Sequence, residues 1–207
     1  MTSRRGQLLT WQADVDHDGR AISWKRRSRV RVSLGHYAVA SHETPLKSAR
    51  VIEITDTAAG SLASSDYLST VVDQLLPLPI RYRLVWQEKG ANAQPLFLWR
   101  AVPPSPEFVA LGSVATSTDE PPPLDAMHCV PRRWCRLCVG GPKPLPQPPT
   151  MLWRDDGRNS SGRTASVWQA DVQCHMMMVL EGTDVAKAQQ ASRVDLDSWP
   201  PIPSDSL

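Results

Sequence analysis

Apolar residues in this chain come in short runs broken by polar turns, and seldom at helical spacing. The longest patterned stretch runs from Leu84 to Pro131. It opens Leu84-Val85-Trp86-Gln87, crosses a polar gap, and resumes as Leu96-Phe97-Leu98-Trp99-Arg100-Ala101-Val102. Two Trp-centred runs flanking a turn predict a β-hairpin. The run from Phe108, ending in Leu111-Gly112, predicts a further strand stopped by a turn, and Ser113-Val114-Ala115 follows. Pro121-Pro122-Pro123 and Met127-His128-Cys129-Val130-Pro131 close the stretch.

The same pattern is written twice more. Leu8-Leu9-Thr10-Trp11-Gln12 leads into a turn at Asp14 to Gly19, and Ala21-Ile22-Ser23-Trp24-Lys25 follows. Val30-Arg31-Val32 alternates with period two, its arginines on the outer face, before Leu34-Gly35. Near the other end, Leu152-Trp153-Arg154 precedes a turn and then Ser166-Val167-Trp168-Gln169. Thirteen residues separate Trp11 from Trp24 and Trp86 from Trp99, and fifteen separate Trp153 from Trp168. Three copies of one Trp-hairpin unit are the economical explanation, at about 8–54, 84–131 and 151–182. Trp11, Trp24, Trp86, Trp99, Trp153 and Trp168 are then structural and largely buried, and Gly35 and Gly112 mark equivalent turns.

Other segments differ. From Ser64 to Leu76, Tyr67, Leu68, Val71, Val72 and Leu75 fall at helical spacing behind capping residues and ahead of Pro77, which predicts one short amphipathic helix. Residues 139–150 are rich in Pro and Gly and read as an irregular loop, and 200–207 as a flexible tail. Met176-Met177-Met178-Val179-Leu180 reads as a buried strand. The whole predicts a single all-β domain of antiparallel strands, β-prism-like, with a β-sandwich of the same strands as the alternative.

Composition agrees with this architecture. The 207 residues include 19 prolines, 11 glycines and 8 tryptophans, but only 2 phenylalanines. Many turns, few helices and tryptophan at fixed scaffold positions follow. With 23 basic and 21 acidic side chains, no strong global field points to nucleic acid. No apolar leader follows the basic start, and no run of about eighteen apolar residues exists to span a bilayer. Four cysteines without a secretory signal favour reduced thiols in the cytoplasm. Neither end looks like a natural boundary, so a piece of a longer chain is expected as readily as a free protein.

Candidate chemistry is sparse. Asp14, Asp16, Asp18 and Gly19 open like a calcium loop, but the twelfth position, where a bidentate acid belongs, is Lys25. A solvated turn is the better reading. Cys135 and Cys138 are two-residue-spaced, with His128, Cys129, Cys174 and His175 as further metal candidates. Cys174 and His175 are adjacent, so on a strand they point to opposite faces. Buried or idle thiols are expected instead. No nucleophile elbow, phosphate loop or paired carboxylates appear, and no histidine has an evident partner. Neither enzyme activity nor a cofactor is expected. Lys25, Arg26, Arg27, Arg29 and Arg31, near Arg4 and Arg5, form a basic face that would suit lipid headgroups or an acidic partner. Otherwise it is a solvated face guarding a strand edge.

Trp99-Arg100-Ala101-Val102-Pro103-Pro104, Phe108-Val109-Ala110-Leu111-Gly112, Pro121-Pro122-Pro123 and Cys129-Val130-Pro131 resemble the repeat of the vacuolar protein sorting-associated protein 62 family. The same unit occurs in vacuolar protein sorting-associated protein 13 and related lipid-transfer proteins. The resemblance covers roughly Arg81 to Leu180, and Leu8 to Ile54 more faintly. Ala101 stands for the usual proline, Glu107 for a common glycine and Ser113 for an aspartate. The resemblance implies an all-β module without catalytic residues, acting in vacuolar or endosomal sorting or in lipid transfer at membrane contacts. The partner would be a protein adaptor or a membrane surface. The alternative is a domain that binds a sugar or lipid headgroup through loops at one end. Either way a cytoplasmic protein is expected, peripheral on endosomal or vacuolar membranes.

Overall fold

The period-two segments fold as short antiparallel ladders in the computed structural model, which describes residues 9–11, 29–39, 52–55, 65–89, 95–137, 149–155, 164–169, 176–182 and 192–194. Two three-stranded sheets carry most of the pairing. One joins β5 (Arg81–Glu88), β6 (Leu96–Val102) and β8 (Val114–Thr116), and the other β11 (Thr150–Arg154), β12 (Ala165–Gln169) and β13 (Met177–Glu181). Four two-stranded ladders complete the set. They are β1 (Leu9–Trp11) with β3 (Tyr37–Val39), β2 (Arg29–Val32) with β4 (Ile52–Thr55), β7 (Phe108–Val109) with β9 (Val130–Pro131), and β10 (Cys135–Leu137) with β14 (Ser192–Val194). Every pair is antiparallel, and no barrel closes among the described residues.

The two hairpins share a register. In β5–β6, Leu84 pairs with Trp99 and Trp86 with Leu98, so Val85 is an extra residue. In β11–β12, Met151 pairs with Trp168 and Trp153 with Val167, so Leu152 is extra. Each bulge sits immediately before the first tryptophan, where it sharpens the local twist. In the first unit β1 lies directly beside β3, and Trp24 falls outside the described residues.

The helix, α1 (Ser65–Leu75), forms where helical spacing predicts it. Val72 is buried, Val71 and Leu75 half-buried, and Ser69, Thr70, Asp73 and Gln74 face solvent. Leu76 donates its N–H to the Val72 carbonyl, and Pro77, which has no N–H, ends the run. Val72 and Leu76 pack with Val32, Leu111, Val130 and Trp134. A second core joins both sheets through Val85, Trp86, Leu98, Val167, Met177 and Val179, and a third lies under Tyr82, Phe97 and Trp99.

The run from Phe108 stops before Leu111-Gly112, as the sequence predicts, and a separate strand begins at Val114. β7 pairs with β9, the chain crosses at Gly112, and β8 then joins β6 in another sheet. Gly112 permits the crossing because a Cβ there would meet the Leu34 carbonyl oxygen at 2.3 Å. Gly35 has φ +130, a conformation that side-chain-bearing residues rarely adopt. The Pro/Gly-rich loop is shorter than its composition suggests, since Pro149 is buried and β11 starts at Thr150. Residues 138–148 of that loop and the 200–207 tail lie outside the described residues.

Beside Gly112, three segments from distant parts of the chain form a closed ring of backbone hydrogen bonds. The His36 N–H donates to the Ser113 carbonyl at 2.9 Å, Ser113 N–H to Met177 at 2.9 Å, and Met177 N–H back to His36 at 2.8 Å. Each residue gives one bond and takes one. Ser113 also accepts the Val179 N–H on its Oγ at 3.0 Å.

Candidate functional site

Four of the tryptophans read as structural, Trp86, Trp99, Trp153 and Trp168, lie among the residues whose burial is described. Trp86, Trp99 and Trp168 are buried, and Trp153 is half-buried. Each of these three buried indoles donates to a side-chain oxygen: Trp86 Nε1 to Asp155 Oδ2 at 2.8 Å, Trp99 to Thr116 Oγ1 at 2.8 Å, and Trp168 to Ser166 Oγ at 2.9 Å. A buried indole N–H without an acceptor would be costly, so these bonds fix each ring's orientation. Trp86 and Trp153 meet edge to face with centroids 4.9 Å apart, joining the two hairpins. Trp11 pairs through its backbone with Tyr37.

The metal candidates do not converge among the described residues, where no group of three His, Cys, Asp or Glu side chains could hold an ion. Cys129 is buried, and burial pushes its thiol up to about 11. Cys135 is half-buried, donates to the Pro131 carbonyl at 3.5 Å, and is also pushed up to about 11 by burial, with Arg132 opposing. Both are poor ligands and poor nucleophiles in that state. Cys138, Cys174, His175 and the Asp14–Gly19 loop lie outside the described residues. Burial lowers the His128 pKa, against the pull of Asp73 and Asp125. His36 is held down at about 4 by burial and accepts the Ala115 N–H on Nδ1 at 3.2 Å.

The expected basic face is only partly within the described residues. Arg29 and Arg31 lie on β2 opposite Thr55 and Glu53, and Arg31 is exposed. Lys25, Arg26 and Arg27, like Arg4 and Arg5, fall outside.

A different basic surface is fully formed. On β5 the exposed Arg81 and Arg83 alternate with buried Tyr82, and exposed Arg100 stands directly opposite Arg83 on β6. Beside them runs a groove of about 510 Å³, lined by Arg83, Leu84, Val85, Thr164, Glu181 and Gly182. It lies between the edge strands of the two sheets, and the Val85 bulge shapes one wall. Arg83 Nη1 reaches across to Glu181 Oε1 at 2.6 Å, with both side chains about half exposed. Partial loss of water lowers the Arg100 pKa, Arg83 adds to that, and Glu181 opposes it. A methyl on Gly182 would meet nothing within 4 Å, so this corner of the groove is open.

The sequence held half of this surface in view, since Arg100 follows Trp99 and Arg81-Tyr82-Arg83 alternates. Which arginine faces which depends on the bulge at Val85, and Glu181 comes from a strand far along the chain.

The family model described as vacuolar protein sorting-associated protein 62 matches residues 28–139, more than half of the chain. The match begins after Trp24 and ends before Trp153, a narrower span than the residue pattern suggests. The crystal structure of GNIP1Aa from Chromobacterium piscinae has a similar fold, with a TM-score of 0.53 over 80% of this chain at 18% identity. This chain spans 30% of that protein's length. No curated protein matches this sequence.

Proposed function

Because the chain belongs to the vacuolar protein sorting-associated protein 62 family, we propose that it is a non-catalytic interaction module serving vacuolar protein sorting. On this reading it docks a protein adaptor or a membrane surface at the cytoplasmic face of endosomal or vacuolar membranes. Lipid transfer at membrane contacts is one form that service takes. No helix among the described residues is long and apolar enough to cross a membrane.

The observation that carries the reading is how the polar side chains are used. The indoles, Ser113, Ser166 and Asp155 are spent on cross-links inside the scaffold, while Arg81, Arg83 and Arg100 gather on an outward face. Exposed arginines on a rigid sheet suit recognition more than chemistry.

Disrupting the gene in its own cells and following a vacuolar cargo tests the proposal. Cargo should be missorted to the surface, and the tagged protein should sediment with endosomal or vacuolar membranes. Normal cargo delivery in the null cells, with the protein absent from those membranes, overturns it.

A further inference from the structure

We propose that the groove between β5 and β13 binds a phosphate monoester through Arg83 and Arg100. The inference rests on the interaction-module reading and names the chemistry of one ligand.

Two arginines directly opposite on neighbouring strands put like charges about 5 Å apart at their Cβ atoms, an arrangement that disfavours the sheet. Glu181 covers Arg83 at 2.6 Å. Arg100 makes no hydrogen bond or ion pair among the described residues, so the pair and its carboxylate leave one positive charge over. Arg83 lines a groove large enough for a headgroup, about 510 Å³, and Arg100 stands directly opposite Arg83 on β6, within electrostatic reach of both Arg83 and Glu181. Guanidinium groups present paired N–H donors that fit the oxygens of a phosphate, and partial shielding from water strengthens such bonds. Thr164 adds a hydroxyl at the opposite wall, and Gly182 keeps that wall free of a side chain. Exposed Arg81 extends the positive face along β5. A bound dianion would draw Arg83 from Glu181 and remove the repulsion between the two arginines. Glu181 is then a competitor that an anion must displace, which sets selectivity for a doubly charged group over a singly charged one.

Two sources share this chemistry, a lipid headgroup and a soluble phosphate ester. The experiment titrates inorganic phosphate against chloride at matched ionic strength, reading the arginine Nε–Hε signals by NMR. In parallel the protein is floated with vesicles of phosphatidylcholine alone or with added phosphatidic acid. The Arg83 and Arg100 signals should shift saturably. Arg100→Gln should weaken phosphate binding about tenfold, the loss of a charge-assisted pair. Glu181→Gln should strengthen it several-fold, a gain that a purely structural role for the ion pair does not give. Flotation on the phosphatidic acid vesicles, competed by phosphate, identifies a headgroup; phosphate binding without flotation identifies a soluble ester. No saturable shift, or unchanged affinity in folded Arg100→Gln, or weaker binding in Glu181→Gln, overturns the proposal. Missorting on gene loss that a non-binding Arg100→Gln protein rescues sinks the groove while leaving the sorting role intact.

Discussion

Gly35 and Gly112 approach each other with no room for a side chain on either. A methyl on Gly35 would lie 2.9 Å from the Gly112 Cα, and one on Gly112 would lie 3.0 Å from the Gly35 Cα. The atoms in the way are backbone, which cannot swing aside.

Gly112→Ala should therefore destabilise the protein by about 1–3 kcal/mol, as overpacking does. Gly35→Ala should cost at least as much, since its φ of +130 adds backbone strain to the clash. The double variant should lose less than the sum of the singles, because forcing the two segments apart for one methyl makes room for the other. Denaturant unfolding of the three variants checks this.

Trp99→Ala should cost about 3–5 kcal/mol, enough to unfold much of a typical domain population. Trp99→Phe should cost less, with Thr116 losing the indole N–H as a partner. Thermal unfolding by circular dichroism separates the two. If Trp99→Ala melts with the wild type, tryptophan is not structural here.

The tryptophan hairpins are the part of this fold most legible in sequence. Period-two alternation and a spacing of thirteen residues put Trp86 and Trp99 on neighbouring strands without any long-range information, and Trp86 pairs with Leu98. The turn at Leu111-Gly112 is legible too, but the departure of β7 and β8 into different sheets is not. It depends on Leu34 and Gly35 passing beside Gly112, a contact between segments far apart in sequence. Charge is densest in the sequence from Lys25 to Arg31, most of which lies outside the described residues. Arg83, Arg100 and Glu181 gather because a one-residue bulge sets the register and the edge of a second sheet supplies the acid. Charge density along a chain does not encode either.

Acid should weaken the fold through His36. Its folded-state pKa of about 4 lies below the ordinary 6.5, so between those values the unfolded chain holds a proton that the folded protein refuses. Stability is intact above pH 6.5, falls as pH drops below it, and is down by about 3 kcal/mol near pH 4. His128, lowered by burial as well, adds a loss of the same sign. His36→Asn, which keeps an acceptor near the Nδ1 position, should flatten the pH dependence of Tm. An unchanged slope would show that His36 titrates freely in the folded state.

Cys129 and Cys135 should resist alkylation by iodoacetamide at neutral pH in the folded protein, because burial pushes both thiols up to about 11. Denaturant should expose both. Peptide mass spectrometry after timed labelling reads each cysteine separately, and rapid native labelling of Cys129 would contradict its burial.

Removing the Arg83–Glu181 ion pair should leave stability nearly unchanged. Half-exposed pairs contribute under about 1 kcal/mol, so Arg83→Gln and Glu181→Gln should melt close to wild type. A large loss in either would mean that the pair braces the two sheets.

The ring through His36, Ser113 and Met177 has no free end. A partner missing from any of the three positions leaves one amide and one carbonyl stranded in the interior, so two of the three segments cannot stand in for all of them. Shortened versions that stop before residue 176 should aggregate when made, and adding the missing piece as a separate peptide should restore them. Such rescue by complementation would make the molecule divisible in the test tube even though no part of it is self-sufficient.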